Sequence, residues 1–103
     1  MVPGTTWRVT AAGPFGHLAF DVDITRTEAG VGAVVRYGDQ RIEARGLQLS
    51  PDGEGYRVRW SQHLLTPLPV RVTVDAVTRG ERLVGTAKVG LLSTFHLEGH
   101  RTS

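Results

Sequence analysis

The chain has 103 residues, no cysteine, and a formal net charge of +2 with an isoelectric point near 9.7. Without cysteine there is no disulfide framework, no thiol nucleophile and no thiolate metal site. Acidic and basic residues interleave along the chain, which speaks for an ordinary charged surface and against a phosphate track, so no nucleic-acid partner is expected.

The length predicts one domain over residues 1–103, with a core that stands without staples. The opening residues, Met1 to Thr6, carry neither the basic nor the apolar block of a secretory leader, and no apolar run approaches the ~20 residues of a spanning helix. The expectation is a cytoplasmic protein with no membrane partner.

From the N-terminus onward, apolar residues recur with period two. Trp7, Val9 and Ala11 alternate with Arg8 and Thr10. Leu18, Phe20, Val22 and Ile24 alternate with Ala19, Asp21, Asp23 and Thr25. Val31, Ala33, Val35 and Tyr37 form a third segment. Ile42 and Ala44 begin a fourth, whose apolar phase slips across Gly46 to Leu47 and Leu49. The slip fits either a β-bulge or a plain loop start.

Tyr56, Val58, Trp60 and Gln62 share one phase, as do Val70, Val72, Val74 and Ala76. Leu83, Gly85, Ala87 and Val89 follow, then Phe95, Leu97 and Gly99. Each segment has the signature of a half-buried strand, and no window shows the i, i+3, i+4, i+7 pattern of a long helix. The breaks at Gly13-Pro14, Ala29-Gly30, Gly38-Asp39, Pro51-Asp52-Gly53 and Arg79-Gly80-Glu81 are turn chemistry.

Eight short strands joined by short turns predict an all-β fold: an eight-stranded antiparallel up-and-down meander closed into a small β-barrel. Closure removes both sheet edges. A two-sheet sandwich is the alternative. Small inward residues such as Ala11, Ala33, Ala76, Gly85, Ala87 and Gly99 let a sheet curl, and they either leave a ligand-sized lumen or let opposite walls touch.

Several motifs, namely Trp7, Pro14-Phe15-Gly16, Trp60, Thr66-Pro67-Leu68-Pro69, Gly85-Thr86-Ala87-Lys88-Val89-Gly90 and Gly99-His100-Arg101, together resemble a group of small bacterial β-barrel domains. The segment between about Gly30 and Gly55 matches that group only in strand rhythm. The resemblance implies the barrel and no single function. The architecture is similar to that of lipocalin and streptavidin barrels, which hold small molecules, a likeness of fold alone.

Candidate chemistry is sparse. His96, Glu98 and His100 share one face of the last strand, where an i, i+2 pair can chelate a metal. Alternation turns that face outward, and a third ligand would have to come from His17 or His63, so no metal site is expected. Asp21 and Asp23 are a same-face carboxylate pair whose phase also points to water. No nucleophile elbow and no phosphate cradle occurs, and no cofactor is expected.

The inward face is richer. Trp7, Phe20, Tyr37, Tyr56, Trp60 and Phe95 cluster inside in the expected barrel with Gln62 among them, and Leu65 on the proline-marked corner at 64–69 covers the mouth. Trp7, Phe20, Tyr37, Tyr56, Trp60, Gln62 and Leu65 are the candidate ligand-binding set, because a few polar groups among apolar ones are what a small-molecule pocket needs.

Three functions follow as expectations. The first is binding of a small, largely apolar organic molecule in the lumen. The second is a cofactor-free cyclase or isomerase that folds a hydrophobic metabolite in the same space, with a tyrosine or His63 moving a proton. The third is a solid barrel that serves as a protein-interaction module. A homodimer through apolar patches at Leu47-Gln48-Leu49 and Leu64-Leu65 is a further expectation.

Overall fold

The computed structural model describes residues 4–13, 16–28, 30–64, 70–90 and 93–103, with the backbone alone at 63, 64 and 70. Its strands are β1 (Thr6–Gly13), β2 (Gly16–Thr27), β3 (Gly30–Tyr37), β4 (Gln40–Glu43), β5 (Arg45–Asp52), β6 (Gly55–Leu64), β7 (Val70–Arg79), β8 (Arg82–Val89) and β9 (Ser93–Arg101). They form one sheet in the order β4-β3-β2-β1-β9-β8-β7-β6-β5, and each pairing is antiparallel.

The first and last strands pair over six positions, from Trp7↔Arg101 to Ala12↔His96. The two ends of the sheet, β4 and β5, are consecutive in the chain and separated by Ala44 alone. The result is a nearly closed up-and-down barrel. Among the described residues no helix is long and apolar enough to cross a membrane.

The count of nine strands corrects the expected eight, and the reason is local. The fourth expected strand bends at Ala44. Its first part pairs with β3 through Val34↔Glu43 and Val35↔Ile42, while its second part pairs with β6. Ala44 still donates its N–H to the carbonyl of Ala33 at 2.9 Å, which holds the bend against β3.

Just beyond the bend, Arg45 faces Ser61 and Gln48 faces Arg59, so one extra residue is absorbed on β5. That is a β-bulge, and Gly46 supplies its left-handed φ of 62°. The bulge restores the inward phase, so Leu47 and Leu49 pack half-buried against the core. They are therefore not the exposed apolar patch assumed for a dimer. The other assumed patch rests on the Leu64 side chain and Leu65, which lie outside the described residues.

The inward set assembles as the alternation predicts. Trp7, Val9, Val22, Ile24, Val58, Leu83 and Leu97 are nearly inaccessible to solvent and fill one half of the barrel. Close approach of neighbouring strands there depends on small residues. A Cβ placed on Gly99 would lie 2.7 Å from the Arg8 carbonyl oxygen. One placed on Gly85 would run into the backbone and methyl group of Ala76. These glycines are inward positions where neighbouring strands leave no room for a side chain, as tight curvature requires.

The outer face is held by ion pairs. Arg36 grips Asp23 with two hydrogen bonds, 2.6 and 3.0 Å, and the Thr6 hydroxyl donates a third at 2.8 Å. Arg57 grips Asp75 in the same bidentate way, at 3.0 and 2.7 Å. Arg8 reaches Asp21 at 3.2 Å.

Candidate functional site

A cavity of about 290 Å³ occupies the half of the barrel that the large core residues do not fill. It lies where β1, β3, β6 and β8 end and β2, β4, β7 and β9 begin. Each wall residue is an inward position close to that end. Ala11 and Ala87 form small, recessed parts of the wall, and Phe20 and Phe95 stand as aromatic plates. Val35, Val72 and Val89 complete the apolar lining, while Leu18, Tyr37, Gln40 and Ile42 lie nearer the rim. No charged side chain is among its described lining residues.

One polar group is set well inside this wall. Gln62 is 7% exposed and lines the cavity. Two residues earlier on the same face of β6, the Trp60 indole Nε1–H donates to Gln62 Oε1 at 3.0 Å in a buried hydrogen bond. An indole N–H can only donate, so the amide oxygen must be the atom that faces it. The amide nitrogen of Gln62 is thereby turned away from Trp60, and it makes no hydrogen bond to any described group.

Six of the seven candidate residues are described, and they separate into four places. Phe20, Tyr37 and Gln62 line the cavity. Trp60 is buried beneath it and acts on it through Gln62. Trp7 does not line it; it is buried in the filled half, with its indole N–H directed at the Thr5 hydroxyl at 3.3 Å. Tyr56 does not line it either; it begins β6, at the opposite end of the barrel, and is exposed. Aromatic residues of one phase thus share a face without sharing a height. Leu65, together with the corner at 65–69 expected to cover the mouth, lies outside the described residues, as does the His63 side chain.

Sequence reasoning left Ala87 and Ala11 out of the candidate set, and it counted Phe95 in the inward aromatic cluster without carrying it into that set. Their signal was present: each is inward, and the two alanines fall at the strand ends nearest the cavity. Gly85 and Gly99 lie instead where the adjacent paired strand leaves no room for a Cβ, and Ala33 and Ala76 are buried in the core away from the cavity lining.

The outward candidates behave as surface. His96, Glu98 and His100 are exposed beside His17, Arg8 and Arg82 in a shallow outer groove. No group of three or more metal-ligating side chains occurs among the described residues. Asp21 and Asp23 also face outward. The Arg36 guanidinium beside Asp23 holds that carboxyl below the usual range, with the Thr6 hydroxyl assisting and partial burial opposing. A carboxyl held ionised in this way suits structural pairing and not proton donation.

No protein-family model matches the chain, and no curated protein or solved structure does.

Proposed function

We propose that this barrel binds a small, largely apolar organic molecule at the open half of its lumen. The observation that carries the reading is the cavity of about 290 Å³, lined by apolar side chains and a single buried amide. Small-molecule sites have this composition: a concave apolar wall with a few placed polar groups. A 150 Å³ apolar cavity accepts benzene, so this one suits a molecule of roughly a dozen non-hydrogen atoms.

The cyclase or isomerase reading uses the same space and is the second choice. A proton-transfer group would have to face the substrate, and among the described lining residues Tyr37 is the one with a titratable side chain. It sits at the rim and is 44% exposed, a poor position for a group that must act in a dry site. Rate enhancement here would come chiefly from holding a flexible substrate in a reactive fold. The interaction-module reading draws on a filled interior, and the cavity argues against it.

The test is saturable binding of a naphthalene-sized apolar probe, read by quenching of tryptophan fluorescence. Trp60 lies beside Gln62 and reports on the cavity, and Trp60→Phe assigns the signal. Ala87→Leu, which fills the wall from β8, is expected to abolish binding with the fold intact. Equal binding by wild type and Ala87→Leu would place the probe elsewhere and end the proposal.

A further inference from the structure

We infer that the lumen selects a neutral carbonyl compound, an apolar molecule whose inner end presents a hydrogen-bond acceptor to the Gln62 amide N–H₂. The inference rests on the lumen-binding reading and specifies its ligand.

The argument starts from the amide's two ends. Its oxygen is engaged by the Trp60 indole at 3.0 Å. Turning the amide over would set its N–H₂ against the indole N–H, donor against donor, inside a buried contact. Trp60 therefore fixes the amide in one orientation, and Gln62 cannot offer its oxygen to a ligand without orphaning the indole.

The nitrogen is different. It carries two donors and no described partner, on a side chain that is more than nine-tenths buried. Among the described residues no fully enclosed side-chain nitrogen or oxygen lacks a partner, so this nitrogen keeps accessible surface. The cavity that Gln62 lines supplies it. Water in the empty cavity can meet this donor, so a ligand that fills the space must supply an acceptor there or leave the donor unpaired at a cost.

Charge decides which acceptor. With no cationic side chain among the described lining residues, a carboxylate would be desolvated without a counter-charge. A ketone, aldehyde or ester oxygen accepts the same hydrogen bond with no such penalty. A hydrocarbon fills the space and leaves the donor unpaired. An aliphatic amine, protonated at neutral pH, brings only donors to a group that has only donors, and a charge with no counter-charge in the described lining.

An isosteric pair provides the test: 2-acetylnaphthalene and 2-isopropenylnaphthalene. They match in shape and differ by C=O against C=CH₂. Titrated into the wild type, the ketone is expected to bind roughly five- to tenfold more tightly, the worth of one net hydrogen bond. Its carbonyl infrared stretch should move to lower frequency on binding. In Gln62→Met the ratio of ketone to hydrocarbon affinity should fall to about one.

Equal affinity of the two probes for the wild type, with no carbonyl shift, would overturn the acceptor inference and leave lumen binding standing. Binding of neither probe would overturn both. The wild-type comparison and the infrared shift do not depend on the folding of any variant.

Discussion

Trp60 and Gln62, two residues apart on one face of β6, are joined by a buried hydrogen bond of 3.0 Å from the indole Nε1–H to the amide Oε1. The bond lies at the boundary between the filled half of the barrel and its cavity. It satisfies the indole and leaves the amide nitrogen of this cavity-lining residue without a described partner. Removing either partner therefore has both a stability cost and an effect on binding.

Trp60→Phe keeps most of the ring and deletes the donor. It leaves the Gln62 oxygen unpaired and the amide free to turn over. The expected loss is about 2 kcal/mol in urea unfolding, from one orphaned acceptor and a small void. Ketone selectivity in the naphthalene pair should fall in parallel, because the amide no longer has a single orientation.

The two halves of the barrel should respond oppositely to changes in side-chain size. Ile24→Ala in the filled half should cost about 3–4 kcal/mol, since Ile24 is 1% exposed and its loss leaves a void. Ala87→Val at the cavity wall should be neutral or stabilising by roughly 0.5–1 kcal/mol, while weakening probe binding. Chemical denaturation of both variants, with probe titration of the second, checks the division.

Two glycines should fail for different reasons. Gly85→Val places a side chain against the Ala76 backbone, and overpacking of this kind costs about 1–3 kcal/mol. Gly46→Ala meets no atom within 4 Å, yet its φ of 62° makes the substitution cost about 1–2 kcal/mol from the backbone alone. Gly46→Asn, which tolerates that conformation better, should recover part of the loss, and Gly85→Asn should not. Melting curves of the four variants separate the cases.

Acid should release the outer ion pairs. The Asp23 carboxyl titrates below its usual value because Arg36 binds its charged form. The stabilisation is therefore complete above the unfolded value of about 3.9 and is lost as pH falls through the lower folded value. Asp75, held down by Arg57, adds a second contribution of the same sign. Asp23→Asn should cost about 1 kcal/mol at pH 7, because the pair is bidentate but partly exposed. The difference from wild type should shrink as the pH falls below about 4 and disappear once it lies below the lowered folded value.

The period-two pattern determined a good deal without any structure. It assigned strands and inward faces, and it located the phase slip at Gly46 that the structure resolves as a bulge. It also placed Asp21, Asp23, His96, Glu98 and His100 on the outside. Alternation can do this because strand side chains have only two directions, and burial selects one of them.

Height along the barrel is another matter. Trp7, Tyr56 and Trp60 belong to the inward phase together with Phe20 and Gln62, yet Trp7 and Tyr56 lie away from the cavity and Trp60 lies beneath it. Which inward residues meet depends on register and on how the strands close the barrel. The β1–β9 pairing and the bend at Ala44 set these through contacts distant in sequence. Only the tertiary structure decided that Ala11 and Ala87 border open space while Ala33 and Ala76 lie in the core away from it. It alone turned the amide of Gln62, because a sequence specifies a donor and an acceptor on that side chain, and a neighbouring indole determines which of the two remains available.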